Sequence, residues 1–95
     1  MTAIVIAEID VQDAATFEQY RVAVPPLVQK FGGRYLARGG RAGLLEGENA
    51  PKRVVIIEFP SYEQAMAWHD SAEYAPLIAL RQSAAKGRMI VVEGV

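Results

Sequence analysis

"AIVIAEI", residues 3–9, closed by "DVQD", residues 10–13, decides how this chain folds. The run is short, apolar and rich in branched side chains, so it reads as a β-strand, and it is apolar at odd and even positions alike. If Ala3, Val5, Ala7 and Ile9 point to one side of a sheet, Ile4, Ile6 and Glu8 point to the other. Each face needs a cover. The run "RVVIIEF", residues 53–59, repeats the pattern, with Val54, Ile56 and Glu58 alternating with Val55, Ile57 and Phe59.

The segments between and after these runs supply one cover. Asp13 is placed to cap a helix whose apolar positions Phe17, Tyr20, Val24, Leu27, Val28 and Phe31 recur at helical spacing. Pro25 and Pro26 fall inside it and predict a kink or a restart near Val24, and Gly32-Gly33 predicts its end. A second strand is expected from Arg34 to about Arg38, resuming over Ala42–Glu46 and turning near Asn49–Pro51 into residues 53–59. Gly39-Gly40 would then be a bulge or bend in a long edge strand. Ser61 and Gln64 have capping-box spacing for a helix at about 62–69. Ser71 can cap a further segment whose face carries Tyr74, Leu77, Ile78, Arg81, Ala84 and Ala85 and ends near Lys86. Gly87 then releases the last strand, "RMIVVEG". The order β-α-β-β-α-α-β is the α+β, ferredoxin-like split β-α-β plan with its second helix broken in two, and residues 1–95 suit one domain.

In that plan the helices lie on one face of a four-stranded antiparallel sheet. The other face is apolar and open, and a second copy packed sheet to sheet about a two-fold axis would cover it, so a homodimer is expected. The first and third strands are read as parallel neighbours, which sets Glu8 and Glu58 near the same end of the same face. Close carboxylates raise one another's pKa unless a cation intervenes, and Arg81, Arg34 and Arg38 are the available cations. A structural ion pair at the margin of the interface accounts for the same pattern.

Composition removes several function classes. Ten Lys and Arg against eleven Asp and Glu leave a net charge of -1, with no field to attract nucleic acid. The absence of cysteine excludes disulfides and thiolate metal sites, and a single histidine, His69, excludes an intrachain two-histidine zinc site; neither metal nor cofactor is expected. No apolar run approaches the roughly 20 residues of a membrane helix. "MTAIVIAEID" lacks the basic region and length of a signal peptide, so a cytoplasmic address is the expectation. The glycines of "FGGRYLARGGRAGLLEG", residues 31–47, follow a helix and sit among strands. A phosphate cradle needs the reverse order, strand before and helix after.

The motifs "FGGRYLARGG", "LEG", "VVIIEFPSYEQAMAWHDSAEYAPL", "LR" and "VVEG", spread from Ile4 to Gly94, resemble domain-of-unknown-function family 1330 of the dimeric alpha-beta barrel superfamily. The resemblance implies a ferredoxin-like protomer and a dimer whose two sheets close into a barrel, and it implies no assigned activity. Other branches of that superfamily include small monooxygenases, muconolactone-type isomerases and haem-degrading enzymes, with ligands between sheet and helices. The haem-degrading pattern asks for an asparagine on the first strand, which this chain lacks between Thr2 and Ile9.

Among single residues, His69 is the side chain whose ordinary pKa lies near neutrality, a general acid or base unless it only answers the helix dipole. Glu58 is the second candidate for proton transfer. Arg38, re-aimed by the glycines after it, offers a planar fork to a carboxylate or phenolate, or else a solvated charge that guards an edge strand. Trp68 and Tyr74 could stack on a flat ligand beside Tyr20, or form core, and Arg81 could hold an anion. Two readings follow. In the first, a pocket between sheet and helices, lined by Tyr20, Arg38, Glu58, Trp68, His69, Tyr74 and Arg81, binds or transforms a small acidic or aromatic molecule without a cofactor. In the second, a non-catalytic structural or interaction module uses these polar residues to stabilise its dimer. An open pocket bordered by Arg38 and Glu58 would separate them.

Overall fold

Alternation along the first strand is realised residue by residue. In the computed structural model, which describes residues 1–95, strand β1 (Ala3–Val11) buries Ala3, Val5, Ala7 and Ile9 on one side and leaves Ile4 and Ile6 half-buried and Glu8 exposed on the other. Helix α1 (Ala14–Lys30), strands β2 (Arg34–Arg38) and β3 (Arg53–Phe59), helices α2 (Tyr62–His69) and α3 (Ala75–Ala84), and strand β4 (Ala85–Glu93) complete the chain. The sheet order is β2-β3-β1-β4 with every neighbour antiparallel, and all three helices lie on one face. This is the ferredoxin-like α+β fold expected from the element order.

The expected helix signals act locally. The Asp13 carboxylate accepts from the Thr16 N–H at 3.2 Å and the Thr16 hydroxyl at 2.6 Å, which holds the Asp13 carboxyl below the usual range. Ser61 Oγ accepts from the Gln64 N–H at 3.1 Å and starts α2. Gln64 does not close a capping box; its Nε2 donates instead to the Phe31 carbonyl at 3.1 Å and ties α2 to the end of α1. Ser71 Oγ accepts from the Tyr74 N–H at 3.2 Å and shapes the turn that separates α2 from α3.

Four expectations are corrected. First, α1 does not restart at the prolines: one helix contains Pro25 and Pro26. Pro25 has no N–H for the Arg21 carbonyl one turn back, and the guanidinium of Arg38 donates to that carbonyl instead. Second, no strand forms over residues 42–46. Arg38 already pairs with Val55, and the Gly39 N–H bonds to the Val54 carbonyl, so β3 ends before a longer β2 could pair with it. Residues 40–52 are instead an exposed loop, with Leu45 97% exposed. The irregularity in β2 lies between Tyr35 and Ala37, not at the glycines.

Third, β1 and β3 are antiparallel, not parallel. Glu8 lies opposite Val54 and Glu58 opposite Ile4, so the two carboxylates stand four residues apart along the strands, about 14 Å at the usual rise. They form no pair. Each has its own arginine on the neighbouring strand: Arg34 Nε to Glu58 Oε1 at 2.8 Å and Arg88 Nε to Glu8 Oε2 at 3.9 Å. Fourth, Gly87 lies inside β4, opposite Ile9. A Cβ there would overlap the Glu8 carbonyl oxygen, so this position tolerates only glycine at the observed strand spacing.

The result is a two-layer slab with extents of 32 × 31 × 17 Å. Its core lies between sheet and helices, with Phe59, Trp68, Tyr74 and Val28 sealed from solvent. The opposite face carries Ile4, Ile6, Val54, Ile56, Ile90 and Val92 without a cover, Ile90 and Val92 being 43% and 49% exposed. No helix is long and apolar enough to cross a membrane.

Candidate functional site

The helix-facing register of β3 puts Arg53 two residues before Val55 and opposite Ile9, directly beneath α1. A charge in that register meets apolar neighbours, and its guanidinium lies over the Phe17 ring at 5.2 Å. Gly39 makes this possible: with φ +77 it turns the chain where a Cβ would come within 2.5 Å of the Arg53 guanidinium carbon. Arg38, on the strand beside it, crosses the Tyr35 ring at 4.9 Å on its way to the Arg21 carbonyl. Between α1 and the sheet these residues frame a narrow crevice of about 30 Å³ with Phe17, Tyr20, Val24 and Ile57 in its walls and Arg21, Arg38 and Arg53 around it.

Charge around this crevice is one-sided. Arg21 is paired with Glu18, whose carboxyl is held low by the Arg21 hydrogen bond and, at longer range, by Arg38 and Arg53. Neither Arg38 nor Arg53 has a carboxylate within 4.0 Å, and Arg53 Nε is buried with no acceptor at all. Tyr35 adds no negative charge, because burial pushes its phenol up to about 12, against a smaller opposing pull from Arg38.

A second group of residues stands on the far side of the core. Tyr74, wholly buried, stacks on Trp68 with ring centroids 4.3 Å apart and shares a 2.7 Å hydrogen bond with the Tyr20 hydroxyl. Arg81 Nη1 donates to the Tyr74 hydroxyl at 2.9 Å. Burial pushes the Tyr74 phenol far up. The hydrogen bonds among Tyr20, Tyr74 and Arg81 tie α1 to α3 within the helical layer. His69 closes α2 with its edge toward Tyr74 at 5.8 Å and its Nδ1 3.6 Å from Asp70 Oδ1. Beside it opens a cleft of about 200 Å³ between α2 and the β4 edge, lined by Met66, Trp68, His69 and Met89.

The residues singled out in the sequence are therefore not in one pocket. Tyr20 and Arg38 line the α1 crevice, Trp68 and His69 line the α2 cleft, and Arg81 borders a third hollow of about 70 Å³ with Lys86 and Arg88. Met89 lines all three, and Tyr74 lies buried between Tyr20 and Trp68. Glu58 stands on the uncovered face with Arg34, so no opening is bordered by both Arg38 and Glu58. The residue that sequence reasoning passed over is Arg53. Its signal was present: counting back from Phe59, Ile57 and Val55 places a charged side chain on the helix face.

Comparison with known proteins agrees with this architecture. The chain matches the family model described as "Domain of unknown function (DUF1330)" over residues 2–95, and it belongs to that family. No curated protein matches it. Among solved structures, a protein of unknown function from Rhodopseudomonas palustris is similar at a TM-score of 0.79 and 18% identity, over 99% of this chain and 82% of that one. SnoaB, a cofactor-independent oxygenase from Streptomyces nogalater, is similar at 0.67 and 9% identity, over 99% and 93% of the two chains. A dabb family protein with a ferredoxin-like fold from Mesorhizobium loti gives 0.64 and 9% identity, over 99% and 97%. At these identities the likeness is one of fold, shared with dimeric alpha-beta barrel proteins.

Proposed function

We propose that this member of the DUF1330 family is a single-domain, cytoplasmic, homodimeric α/β-barrel protein that binds a small organic acid through Arg38 and Arg53 at the crevice between α1 and the sheet. One observation carries the reading: two guanidinium groups, Arg38 and Arg53, stand without a carboxylate partner beside a crevice with aromatic and aliphatic walls. A carboxylate would meet the guanidinium forks of Arg38 and Arg53 at the mouth of the crevice. Binding sites of this kind are mostly apolar with a few fixed polar groups. The fold also carries a cofactor-independent oxygenase in Streptomyces nogalater, in keeping with a site that uses protein side chains alone.

The dimer rests on a separate observation. The protomer exposes 6005 Å², where a compact monomer of this mass averages about 5400 Å². The uncovered sheet face is apolar at its centre and ends in the Arg34-Glu58 and Arg88-Glu8 pairs, the layout of an interface core with a polar rim.

A thermal-shift series with formate, acetate and benzoate tests the site, using Arg53→Leu because it keeps the packing on Phe17. Arg38 is the poorer choice, since it also holds the Arg21 carbonyl. At least one acid is expected to raise the melting temperature of the natural protein and to lose that effect in R53L. An equal shift in both proteins, or none with any acid, overturns the assignment.

A further inference from the structure

Of the hollows between helices and sheet, the α1 crevice, the α2 cleft and the space at Arg81 are all bordered by Met89, and no other residue is common to them. Its place in the sheet explains this. Met89 belongs to the helix-facing row of β4, lies opposite Ala7 on β1, and has Ala85, Gly87 and Val91 in the same row. Among neighbours this short, the unbranched thioether is the side chain that extends from the sheet toward the helices, and its Sδ comes within 4.0 Å of Arg81 Nη1. Arg81 is itself fixed by its 2.9 Å bond to the Tyr74 hydroxyl, so the far end of the Met89 side chain rests against a held group of α3.

The spaces on either side of Met89 are complementary in chemistry. On one side is the α1 crevice, about 30 Å³, with Arg38 and Arg53 at its border and room for little beyond a carboxylate. On the other is the α2 cleft, about 200 Å³, walled by Val5, Met66, Trp68 and Val91 and with no Lys, Arg, Asp or Glu in its lining. A flat aromatic acid needs both, cations for one end and apolar walls for the other. We propose that Met89 is the specificity-determining residue of the acid site: its side chain closes the crevice against the cleft, so the natural chain accepts a carboxylate with a small body and excludes a fused-ring acid. The carboxylate end of this assignment rests on the acid reading above, whereas the partition is a property of shape.

Met89→Ala removes the partition, Met89→Val shortens it while keeping a strand-forming residue, and Met89→Leu replaces it at similar volume. Val24→Ala enlarges the crevice without touching the other two hollows. The affinities of acetate, 2-naphthoate and uncharged naphthalene are measured for each protein by ligand-observed NMR. M89A, and to a smaller extent M89V, are expected to bind naphthoate about ten-fold or more tightly than the natural chain, M89L or V24A, through burial of the added rings. Acetate affinity is expected to stay as it is in the natural chain. Adding R53L to M89A is expected to abolish naphthoate binding and to leave naphthalene binding intact, because only the acid needs the guanidinium. Equal naphthoate affinity in the natural chain and M89A, a gain in V24A as large as in M89A, or no gain in either M89A or M89V overturns the proposal even where acetate binds. If no protein in the series binds any acid, the acid reading falls and naphthalene decides the partition: entry into M89A but not the natural chain supports it, and entry into neither overturns it.

Discussion

Ile56 and Ile57 are neighbours on β3, chemically identical, and their fates differ. Ile57 faces the helices and is 3% exposed; Ile56 faces the other way and keeps contact with solvent. The same contrast runs along β1, between Val5 and Ile6. Side-chain type does not separate the two faces of this sheet. What separates them is the presence of α1, α2 and α3 on one side, so the apolar residues of the uncovered face contribute to stability only when a second surface meets them.

The contrast can be attacked from its strong side first. Phe59→Ala, which empties a fully sealed position against Trp68, is expected to cost about 3–5 kcal/mol in chemical denaturation. A cost below about 1 kcal/mol would show that the aromatic core is not what holds the layers together. Ile56→Lys probes the other face. The expected outcome is a protein with an unchanged circular dichroism spectrum that sediments as a monomer where the natural chain sediments as a dimer; an unchanged mass removes the sheet-to-sheet dimer.

Alkali distinguishes the faces by a different route, because the strongly buried phenols lie on the helix side. A Tyr35 phenol raised from 10.0 to about 12 on folding leaves the folded state binding the proton more tightly than the unfolded chain. Stability is therefore complete below pH 10 and falls as pH rises toward 12, with Tyr74 acting in the same direction. Urea midpoints measured across that range should decline while tyrosinate absorbance appears late. Phenols that titrate normally in the folded protein would contradict the burial. The smallest effect belongs to the rim of the cover: Ser61→Ala removes the α2 cap and is expected to cost about 1 kcal/mol, with α2 amides exchanging first.

Much of this architecture was legible because its causes are local. Asp13 and Thr16, or Ser61 and Gln64, lie within one turn of each other, and their spacing alone announces a helix start. The two-sided strands were legible from alternation. The features that escaped depend on partners far along the chain. The end of β2 is set by how much of β3 remains to pair with it, not by the glycines that follow. Where α1 passes through its prolines, the Arg21 carbonyl is served by Arg38, seventeen residues further along the chain. The direction of β1 against β3 is a property of the crossover, and reading it as parallel brought Glu8 and Glu58 together when the sheet holds them apart. The same limit governs the site: Tyr20, Arg38, Trp68, His69 and Arg81 suit one pocket by residue type, and the packing of the helices distributes them over three separate hollows.

The bond from Arg38 to the Arg21 carbonyl makes residue 25 a control on an arginine it never touches. Any amino acid other than proline at that position restores an amide to serve the carbonyl and leaves the guanidinium with one fewer obligation. Pro25→Ala should therefore read out as a gain in cation availability at the α1 crevice, while proline keeps helix and edge strand tethered as one unit.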